Sequence, residues 1–488
     1  MNNKSRDKKN NNIKEIMTYS LVWLKDDFRI SNNQAISALI DDKNTKKKVV
    51  YIYDKEEYLL CEAQRWWLAR SLEIFEKRLE NLNISLDVIQ GNKEKTIKNL
   101  IKNTTISNFY WNKSCHIYEN VSEENIKIIL NENNISYKEF QSNLLNPVDQ
   151  IKKDDGTAFK VFTHYWKKAE KNYLNNHLQY NTSTKFLKKN NLTPKINDKF
   201  EFIYPKKNWY KKFERYWEPS EENAEKVLDN FIKNSIENYA YNRDIPSISG
   251  TSKLSPYLKF GQISVHKIMH KCLEIKNKKI GFRKYINELG WREFCHSLLH
   301  NFPEMEKNNL RKDFDKFKWN KNDILFKKWK KGFTGYPIVD AGMRELYETG
   351  WMHNRVRMIV ASFLVKHLRI HWSEGEKYFR ETLLDFNLAN NVAGWQWVAG
   401  TGADAAPYFR IFNPILQGEK FDSKGLYIKK WCPELINVPD EFLHKPWEMP
   451  EELQNKIKIK IGKTYPLPIV KHEEARKEAL EAFQQLRK

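Results

Sequence analysis

The chain changes its hydrophobic pattern once, near residue 216, and this change limits the folds that it can adopt. Before that point, short β-rich runs alternate with helical patterns; the runs are Leu21–Leu24, Val49–Asp54, Ser85–Gln90 and Asn108–Asn112. Between the second and third runs, apolar residues follow a 4-3-4-3 spacing, which places them on one face of a helix. These residues are Leu68, Leu72, Phe75, Leu79 and Leu82. Strand, helix and strand in series predict a parallel α/β sheet.

The pattern divides the chain into four segments. We expect a disordered, basic arm at residues 1–17, an α/β domain at 18–150, an interdomain connector at 151–215 and an all-α domain at 216–488. The connector is rich in Lys and Asn and shows little periodicity, whereas strand-like runs become rare after it. The predicted fold class is therefore α/β followed by all-α.

The net charge of +22 favours a polyanionic partner, such as DNA, RNA or an acidic membrane surface. Lys and Asn are abundant along the whole chain, as an AT-rich genome would produce, so the charge alone does not decide between partners. No apolar stretch reaches the ~20 residues of a membrane-spanning helix. The five cysteines form no CxxC pair, which argues against a zinc site or a disulfide framework and fits a cytoplasmic protein without a metal.

Two motifs resemble nucleotide-binding signatures but fail in context. Gly400–Ala405 fits GxGxxA, yet it follows no strand-like run and lies in the helical half. Gly462–Thr464 resembles the end of a P-loop, but Ile457 stands where the first glycine is required. HExxH and GxSxG are absent, so the common hydrolase and NTPase signals are missing.

Two helical patterns carry polar and aromatic residues on one face. Trp351, Asn354, Arg357 and Met358 share a face of a predicted helix. Glu288, Trp291 and Arg292 share a face of another, and a carboxylate, an indole and a guanidinium together can bind a flat polar ligand. A helix at a domain surface, or an ordinary Glu–Arg pair four residues apart, explains the same patterns without a ligand.

Two further segments combine hydroxyl, amide and carboxyl groups. Gly250–Pro256 can bind a phosphate at the start of a helix, although a simple helix cap explains it equally well. Asp385–Asn391 precedes Trp395–Trp397 and places polar groups beside aromatic rings, although a polar surface loop has the same composition.

Taken in order, these segments resemble the cryptochrome/photolyase family, and most closely the class I cyclobutane pyrimidine dimer photolyases. The resemblance covers about residues 20–480. Its blocks are Trp23–Arg29, Arg65–Trp67, Gly250–Pro256, Asn287–Phe294, Thr334–Asp340, Trp351–Met358, Gly394–Trp397, Tyr408–Pro414 and Tyr465–Val470.

The resemblance implies a Rossmann-like N-terminal domain with an antenna site and an all-α domain that binds a U-shaped FAD. By matching positions, the FAD contacts are Tyr239, Thr251, Ser252, Lys253, Leu254, Ser255, Arg357, Asp385, Phe386, Asn387 and Asn391. Arg357 and Asp385 should pair beside the isoalloxazine, and Asn391 should face the flavin N5. Glu119 and Lys307 match positions that hold methenyltetrahydrofolate as the antenna, with a deazaflavin as the rival chromophore.

The implied activity is light-driven repair of cyclobutane pyrimidine dimers in DNA by a monomeric carbon–carbon lyase. Glu288, Trp291, Asn354 and Met358 should line the pocket for the flipped dimer, with Glu288 protonated in a buried site. The groups expected to hold DNA phosphates are Arg243, Arg292 and Arg410, and the relay expected to reduce the flavin is Trp395, Trp372 and Trp319. The chain departs from the family pattern at Asn387, where a second Asp is usual, and at Lys25, where Arg is usual.

Three alternatives stay open. A cryptochrome photoreceptor without repair activity shares much of the pattern, but it typically carries Asp at the place of Asn391 and a long tail after the Tyr465–Val470 block. A (6-4) photolyase uses histidines near positions 354 and 358, where this chain has Asn and Met. A basic nucleic-acid-binding protein without a cofactor is the third.

Overall fold

The structure is a computed structural model that describes residues 18–43, 45–55, 61–141, 143–176, 198–206, 208–275 and 280–486. The predicted arm at residues 1–17 and part of the predicted connector, residues 177–197, lie outside the described residues. None of the helices within the described ranges combines the length and the apolar character of a membrane-spanning segment.

The N-terminal part is built on a five-stranded parallel sheet. Its strands are β1 (Tyr19–Leu24), β2 (Lys46–Tyr53), β3 (Ser85–Gln90), β4 (Ile106–Asn112) and β5 (Ser136–Phe140). Their order in the sheet is β3-β2-β1-β4-β5, so β2 and β3 extend the sheet to one side of β1, and β4 and β5 extend it to the other, as in doubly wound folds. The four predicted strands are confirmed. Strand β5 was not predicted, because its residues Ser136–Phe140 include two charged side chains and are at most half-buried.

Four helices connect the strands: α1 (Gln34–Asp41), α2 (Glu62–Glu80), α3 (Lys93–Asn103) and α4 (Ile117–Glu132). The predicted apolar face lies on α2, where Leu68, Leu72, Phe75 and Leu79 are buried; Leu82 follows the end of the helix. Trp66 and Trp67 are also buried, and Trp67 stacks on Phe260 with ring centroids 6.0 Å apart. Both sides of α2 are therefore covered, one by the sheet and one by the helical part.

The rest of the described chain is helical. Its α-helices are α5 (Phe162–Asn176), α6 (Glu221–Asn234), α7 (Tyr239–Asn242), α8 (Ser255–Lys259), α9 (Val265–Leu273), α10 (Ile280–Asn301), α11 (Asp323–Lys331), α12 (Pro337–Thr349), α13 (Asn354–Ser362), α14 (Trp372–Thr382), α15 (Leu388–Ala399), α16 (Pro414–Phe421), α17 (Leu426–Trp431), α18 (Asp440–Leu443), α19 (Glu451–Lys456) and α20 (His472–Leu486). Residues 143–486, where described, contain no strand, so the predicted fold class of α/β followed by all-α is confirmed. The predicted domain boundaries stay a prediction, and α5 lies inside the predicted connector.

The helix predicted to open at Trp351 begins three residues later. His353 is its N-cap, and the imidazole accepts a hydrogen bond from the backbone N–H of Arg355. Gly350 ends α12 in the left-handed conformation, so Trp351 and Met352 form the link between two helices. The prediction that Trp351 shares a helical face with Arg357 is therefore wrong, because the cap at His353 sets the start of the helix.

Buried polar contacts join the two parts of the molecule. The guanidinium of Arg29 is 1% exposed and donates to the carbonyl oxygen of Gly261 at 2.8 Å. The carboxylate of Glu221, at the start of α6, accepts from the backbone N–H groups of Ile30 and Ser31 at 2.8 and 3.0 Å. The loop after β1 is thus bonded to two separate elements of the helical part.

Gly261 allows this close approach. Its φ is +57°, and a Cβ placed on it would lie 2.1 Å from the carbonyl oxygen of Asp26 and 2.7 Å from the Cα of Asp27. Both atoms belong to the backbone, so neither can move away as a flexible side chain could.

We expect Gly261→Ala to lower the free energy of unfolding by about 3 kcal/mol or more, because left-handed strain of ~1–2 kcal/mol adds to a backbone clash. Gly156→Ala is the matched control: φ is +79° and nothing lies within 4 Å of the added Cβ, so only the strain remains. Chemical denaturation of both variants measures the difference. Equal losses in the two would show that the contact at Gly261 is loose.

Candidate cofactor and substrate site

Two cavities meet inside the molecule. The interdomain cavity, about 210 Å³, is lined by Asp26, Cys115, His116, Asn143, Tyr239, Ser252, Leu254, Ser255, Leu258, Lys259, Tyr285, Glu288, Leu289 and Arg292. The helical cavity, about 200 Å³, is lined by Asn354, Arg357, Met358, Ala361, Phe379, Leu383, Phe386, Asn391, Gly394, Trp395 and Val398. Asp385, Asn387 and Asn390 line both, so they form a shared wall.

Asp385 is the charged residue of the shared wall. Its side chain is 3% exposed, and Oδ2 accepts from Arg357 Nη2 at 2.8 Å and from Ser255 Oγ at 2.6 Å. Arg357 and Asp385 are thus paired, and the position of this pair beside a flavin ring stays a prediction. The other carboxylate oxygen, Oδ1, is buried and has no partner among the described residues. It is therefore a strong acceptor that a ligand with an N–H group can satisfy.

The loop that carries Asp385 is fixed from the N-terminal part. Gln64 of α2 is fully buried and donates its Nε2 to the carbonyl oxygens of Leu384 and Phe386, at 3.2 and 2.8 Å. At the end of the loop, Asn387 caps α15, and its Oδ1 accepts from the backbone N–H of Asn390 at 3.1 Å. The amide at position 387 thus performs the structural role of a cap.

The segment predicted to hold a phosphate lies beside the interdomain cavity. Ser252, Leu254 and Ser255 line it, together with the buried Tyr239, whereas Thr251 and Lys253 are not among its lining residues. No side chain caps α8, which excludes the simple helix-cap interpretation of this segment. The hydroxyl of Ser255 does not cap the helix and instead donates a hydrogen bond to Asp385 of the shared wall.

Asn391 is held by a carboxylate that the sequence analysis missed. Its Nδ2 donates to Glu376 of α14, to Oε1 at 3.0 Å and to the backbone oxygen at 3.2 Å. Burial raises the pKa of Glu376 to about 7, while Arg380 binds both its carboxylate oxygens at 2.9 and 3.0 Å. The available signal was a carboxylate on the otherwise apolar face of α14, between Trp372 and Phe379.

The surroundings of Glu288 differ from the predicted buried pocket. Its carboxylate forms an ion pair with Arg243, and its side chain is 28% exposed. The prediction was a neutral acid in a buried pocket; the guanidinium of Arg243, from the loop after α7, instead supplies a counter-charge. Trp291 stacks on Phe162 with centroids 3.9 Å apart and lines neither cavity, so only part of the predicted face reaches the site.

Of the three arginines predicted to hold phosphates, only Arg410 is exposed. Arg243 binds Glu288, and Arg292 donates to Glu293 at 3.0 Å and to the carbonyl oxygen of Asn143 at 2.8 Å. Their side chains are 11% and 13% exposed. In this conformation both groups serve internal contacts, so their predicted phosphate contacts are not supported.

Asn354 and Met358 border the helical cavity, one turn apart on α13. Their predicted contact with a flipped dimer stays a prediction. The Asn354 Nδ2 lies 3.9 Å from the Met358 sulfur. His353, the neighbouring histidine, is 2% exposed, and burial lowers its pKa to about 4. It is therefore a neutral ring whose role is to cap the helix.

Of the three predicted relay tryptophans, Trp395 lines the helical cavity, whereas Trp372 and Trp319 are not among its lining residues. The ring of Trp395 rests on Gly375 of α14, where an added Cβ would lie 2.1 Å from it. Trp372 begins the same helix one turn earlier, and its Nε1 donates to Asn309 at 2.8 Å. The ring of His371 lies 5.3 Å from Trp372 and 5.1 Å from the half-buried Trp319. A run of aromatic rings thus leads from the buried Trp372 through His371 to the half-buried Trp319.

The two residues predicted to hold an antenna lie outside both cavities. Glu119 forms an ion pair with Lys93 at 2.5 Å, and Lys307 is exposed. The hydroxyl of Tyr118 donates to Glu306, which brings the two segments together. Glu119 therefore already has a cationic partner in this structure.

Two family models and several curated proteins match this chain, and the curated proteins match almost its whole length. Residues 20–184 match the family model described as DNA photolyase, and residues 285–485 match the FAD binding domain of DNA photolyase. A deoxyribodipyrimidine photo-lyase of Agrobacterium fabrum is 40% identical over 476 residues, which cover 96% of this chain and 98% of the relative. Cryptochrome-1 of Arabidopsis thaliana is 32% identical, with 96% of this chain and 70% of that protein covered.

A solved structure shows the same fold. The crystal structure of a bacterial class III photolyase from Agrobacterium tumefaciens has a TM-score of 0.87 and 38% identity, and the match covers 96% of this chain and 98% of that chain. Since that protein is described as class III, the comparisons do not support the class I assignment, which stays a prediction.

We expect Gln64→Leu to weaken FAD binding roughly tenfold, because two buried carbonyl groups of the Asp385 loop lose their donor at a cost of about 1–3 kcal/mol. Ser71→Ala is the control, since it removes a buried hydrogen bond of the same helix without contacting the loop. Fluorescence titration of the apoprotein with FAD measures the dissociation constants. Unchanged affinity in Gln64→Leu would show that the loop holds its position without α2.

Proposed function

Because this chain belongs to the DNA photolyase family, we propose that it uses blue light to repair cyclobutane pyrimidine dimers in DNA. The observation that carries the proposal is the shared wall: Asp385 stands between the cavity beside Ser252–Ser255 and the cavity bordered by Asn354 and Met358. A cofactor that reaches from a phosphate-binding segment to a reactive ring needs both spaces.

The residues present fit FAD, for which a family model matches residues 285–485. The unpartnered Oδ1 of Asp385 can accept from an N–H of the flavin ring, and the Arg357 guanidinium can donate to its carbonyl groups. Ser252 and Ser255 can bind the phosphates or the ribityl chain. When bound, reduced and excited FAD supplies the electron that opens the dimer and takes it back afterwards.

The protein's own residues hold and orient the reactants. Asn391 is kept in place by Glu376, so its amide has one orientation towards the cavity. Met358 supplies an apolar surface and Asn354 an amide for a base that has left the duplex. A dimer stacks and pairs poorly, so turning it out of the helix costs less than for an intact base, and binding should weaken with salt.

The preference for cyclobutane dimers over (6-4) products follows from the histidines. Opening a cyclobutane ring needs no acid that moves a substituent between bases, whereas repair of a (6-4) product does. His353 precedes Asn354, which lines the helical cavity. The ring of His353 is buried and neutral, and it caps α13. Glu288 can approach the dimer carbonyl groups only together with its partner Arg243.

Cryptochrome is the second candidate, because the 32% identity to cryptochrome-1 of Arabidopsis thaliana spans 96% of this chain. Asn391 argues for repair, since cryptochromes of the plant type typically carry Asp there. For the antenna we propose methenyltetrahydrofolate near Glu119 and Lys307, which requires the Glu119–Lys93 pair to open; a deazaflavin is the rival. We further propose a monomer in the cytoplasm, where the five free cysteines would stay reduced.

Illumination of the reduced protein with dimer-containing oligonucleotides should restore thymines and leave (6-4) products unchanged. Glu288→Ala should reduce the repair yield severalfold while dimer binding falls less. The variant lacks the carboxylate that, paired with Arg243, would face the carbonyl groups of the dimer. Chromatography of the oligonucleotides gives both yields. Repair of (6-4) products by the wild type, or full yield from Glu288→Ala, would contradict the assignment; no repair of either lesion would favour the cryptochrome.

Trp395→Phe should abolish photoreduction of oxidised FAD, because phenylalanine is much harder to oxidise than the indole at the cavity wall. Repair by chemically reduced enzyme should persist. Absorbance under blue light follows the reduction, and Trp447→Phe, whose ring packs on Tyr336, is the control. Unchanged photoreduction in Trp395→Phe would remove that residue from the relay.

A further inference from the structure

A buried lysine lies under the loop that carries Arg410. Lys366 belongs to a π-helical turn, Phe363–His367, that follows α13, and it is 1% exposed. Its Nζ donates to the carbonyl oxygens of Tyr408 and Arg410 at 3.0 and 3.1 Å. Single π-turns occur frequently at functional sites, because they rotate side chains away from the regular helical direction.

The surroundings of Lys366 contain no opposite charge. No carboxylate pairs with its ammonium group in the part of the chain that the structure describes; besides the two carbonyl oxygens, Nζ lies 5.0 Å from the centre of the Tyr408 ring. Burial and, to a smaller extent, the positive Arg410 lower the pKa of Lys366 to about 7. Burying an ammonium without a counter-ion is expensive, so its retention here calls for a role beyond packing.

The loop itself is anchored to two helices, α15 and α5. Ala406 donates its backbone N–H to the carbonyl oxygen of Trp397 of α15 at 3.2 Å. Asp404 accepts from the backbone N–H of Phe162, the residue that stacks on Trp291. The side chain of Arg410 is exposed beyond these anchors, while its carbonyl oxygen is held from below by Lys366.

We propose that Lys366 is a positioning residue for DNA binding: by holding the backbone at Tyr408 and Arg410, it fixes the Arg410 guanidinium where a phosphate beside the flipped dimer can bind. This inference rests on the proposed repair function. The ammonium attracts two carbonyl dipoles, so its charge sets how tightly the loop is held.

Burial shifts the pKa values of the other titratable groups around Lys366 away from 7. On its own turn, His367 has a pKa lowered to about 3 by burial and contacts His472 of α20 at 2.8 Å. The pKa of His472 is also lowered by burial, and that of Tyr408, in the loop, is raised by burial. The exposed guanidinium of Arg410 is the other charged group of the loop. As the pH rises through about 7, Lys366 is therefore the member of this group that loses its charge, and the loop is then held less firmly.

The experiment measures the affinity of the FAD-loaded protein for a dimer-containing oligonucleotide between pH 6.5 and 9 and at several salt concentrations. The variants are Lys366→Met, Lys366→Arg, Arg410→Ala and the double variant of the first and third. Val365→Ala is the matched control, since it removes buried volume from the same turn without changing charge. Flavin absorbance and circular dichroism confirm that each variant is folded.

We expect Lys366→Met and Arg410→Ala each to weaken binding roughly tenfold and to reduce the slope of log K against log salt by about one, with no further loss in the double variant. Wild-type affinity should fall as the pH rises, Lys366→Met should be weak and independent of pH, and Lys366→Arg should bind tightly at high pH. Should Lys366→Met not fold, the pH profile of Lys366→Arg against wild type decides.

The inference is overturned if Lys366→Met binds like wild type while Arg410→Ala is weak, if Val365→Ala loses as much affinity, if the losses add in the double variant, or if Lys366→Arg keeps the wild-type pH dependence. Failure of the proposed function has a different signature: the wild type would then neither repair dimers nor prefer dimer-containing DNA.

Discussion

Asp385 places a carboxylate that is 3% exposed at the wall between two cavities, and the neighbouring elements are arranged to keep it there. Removing a carboxylate from water costs several kcal/mol, which the Arg357 guanidinium and the Ser255 hydroxyl offset through direct bonds to one oxygen. The other oxygen has no partner among the described residues. The charge of Asp385 is therefore compensated, but one of its carboxylate oxygens stays without a donor. A buried ligand with an N–H group can supply that hydrogen bond.

The need of a buried carboxylate for polar contacts explains why residues that are far apart in the chain form the site. Arg357 comes from α13, Ser255 from α8 and the support of the loop from Gln64 of α2. Each supplies one polar contact, and none of the three elements can form the wall alone. Helix α2 therefore helps to position the shared wall although none of its residues lines either cavity.

Local patterns in the sequence predicted local structure. The four β-rich runs and the apolar face of α2 were found because period and burial agree there, whereas β5 was missed because Lys138 and Glu139 interrupt its pattern. The pairing of Arg357 with Asp385, 28 residues apart, came from the family resemblance and not from any pattern. The partner of Glu288 was missed for the same reason: Arg243 lies 45 residues away, and no periodicity links a loop to a helix.

The position of α2 has a consequence for the order in which the molecule is made. Domains emerge from the ribosome N-terminal part first, so residues 62–80 and the sheet behind them are synthesised long before the loop at Leu384–Phe386. The amide of Gln64 is then available on the surface of the N-terminal part when the helical part is synthesised. The later segment folds against a template, and a chain rearranged to deliver α14 and α15 before the sheet would have to find the same conformation without it.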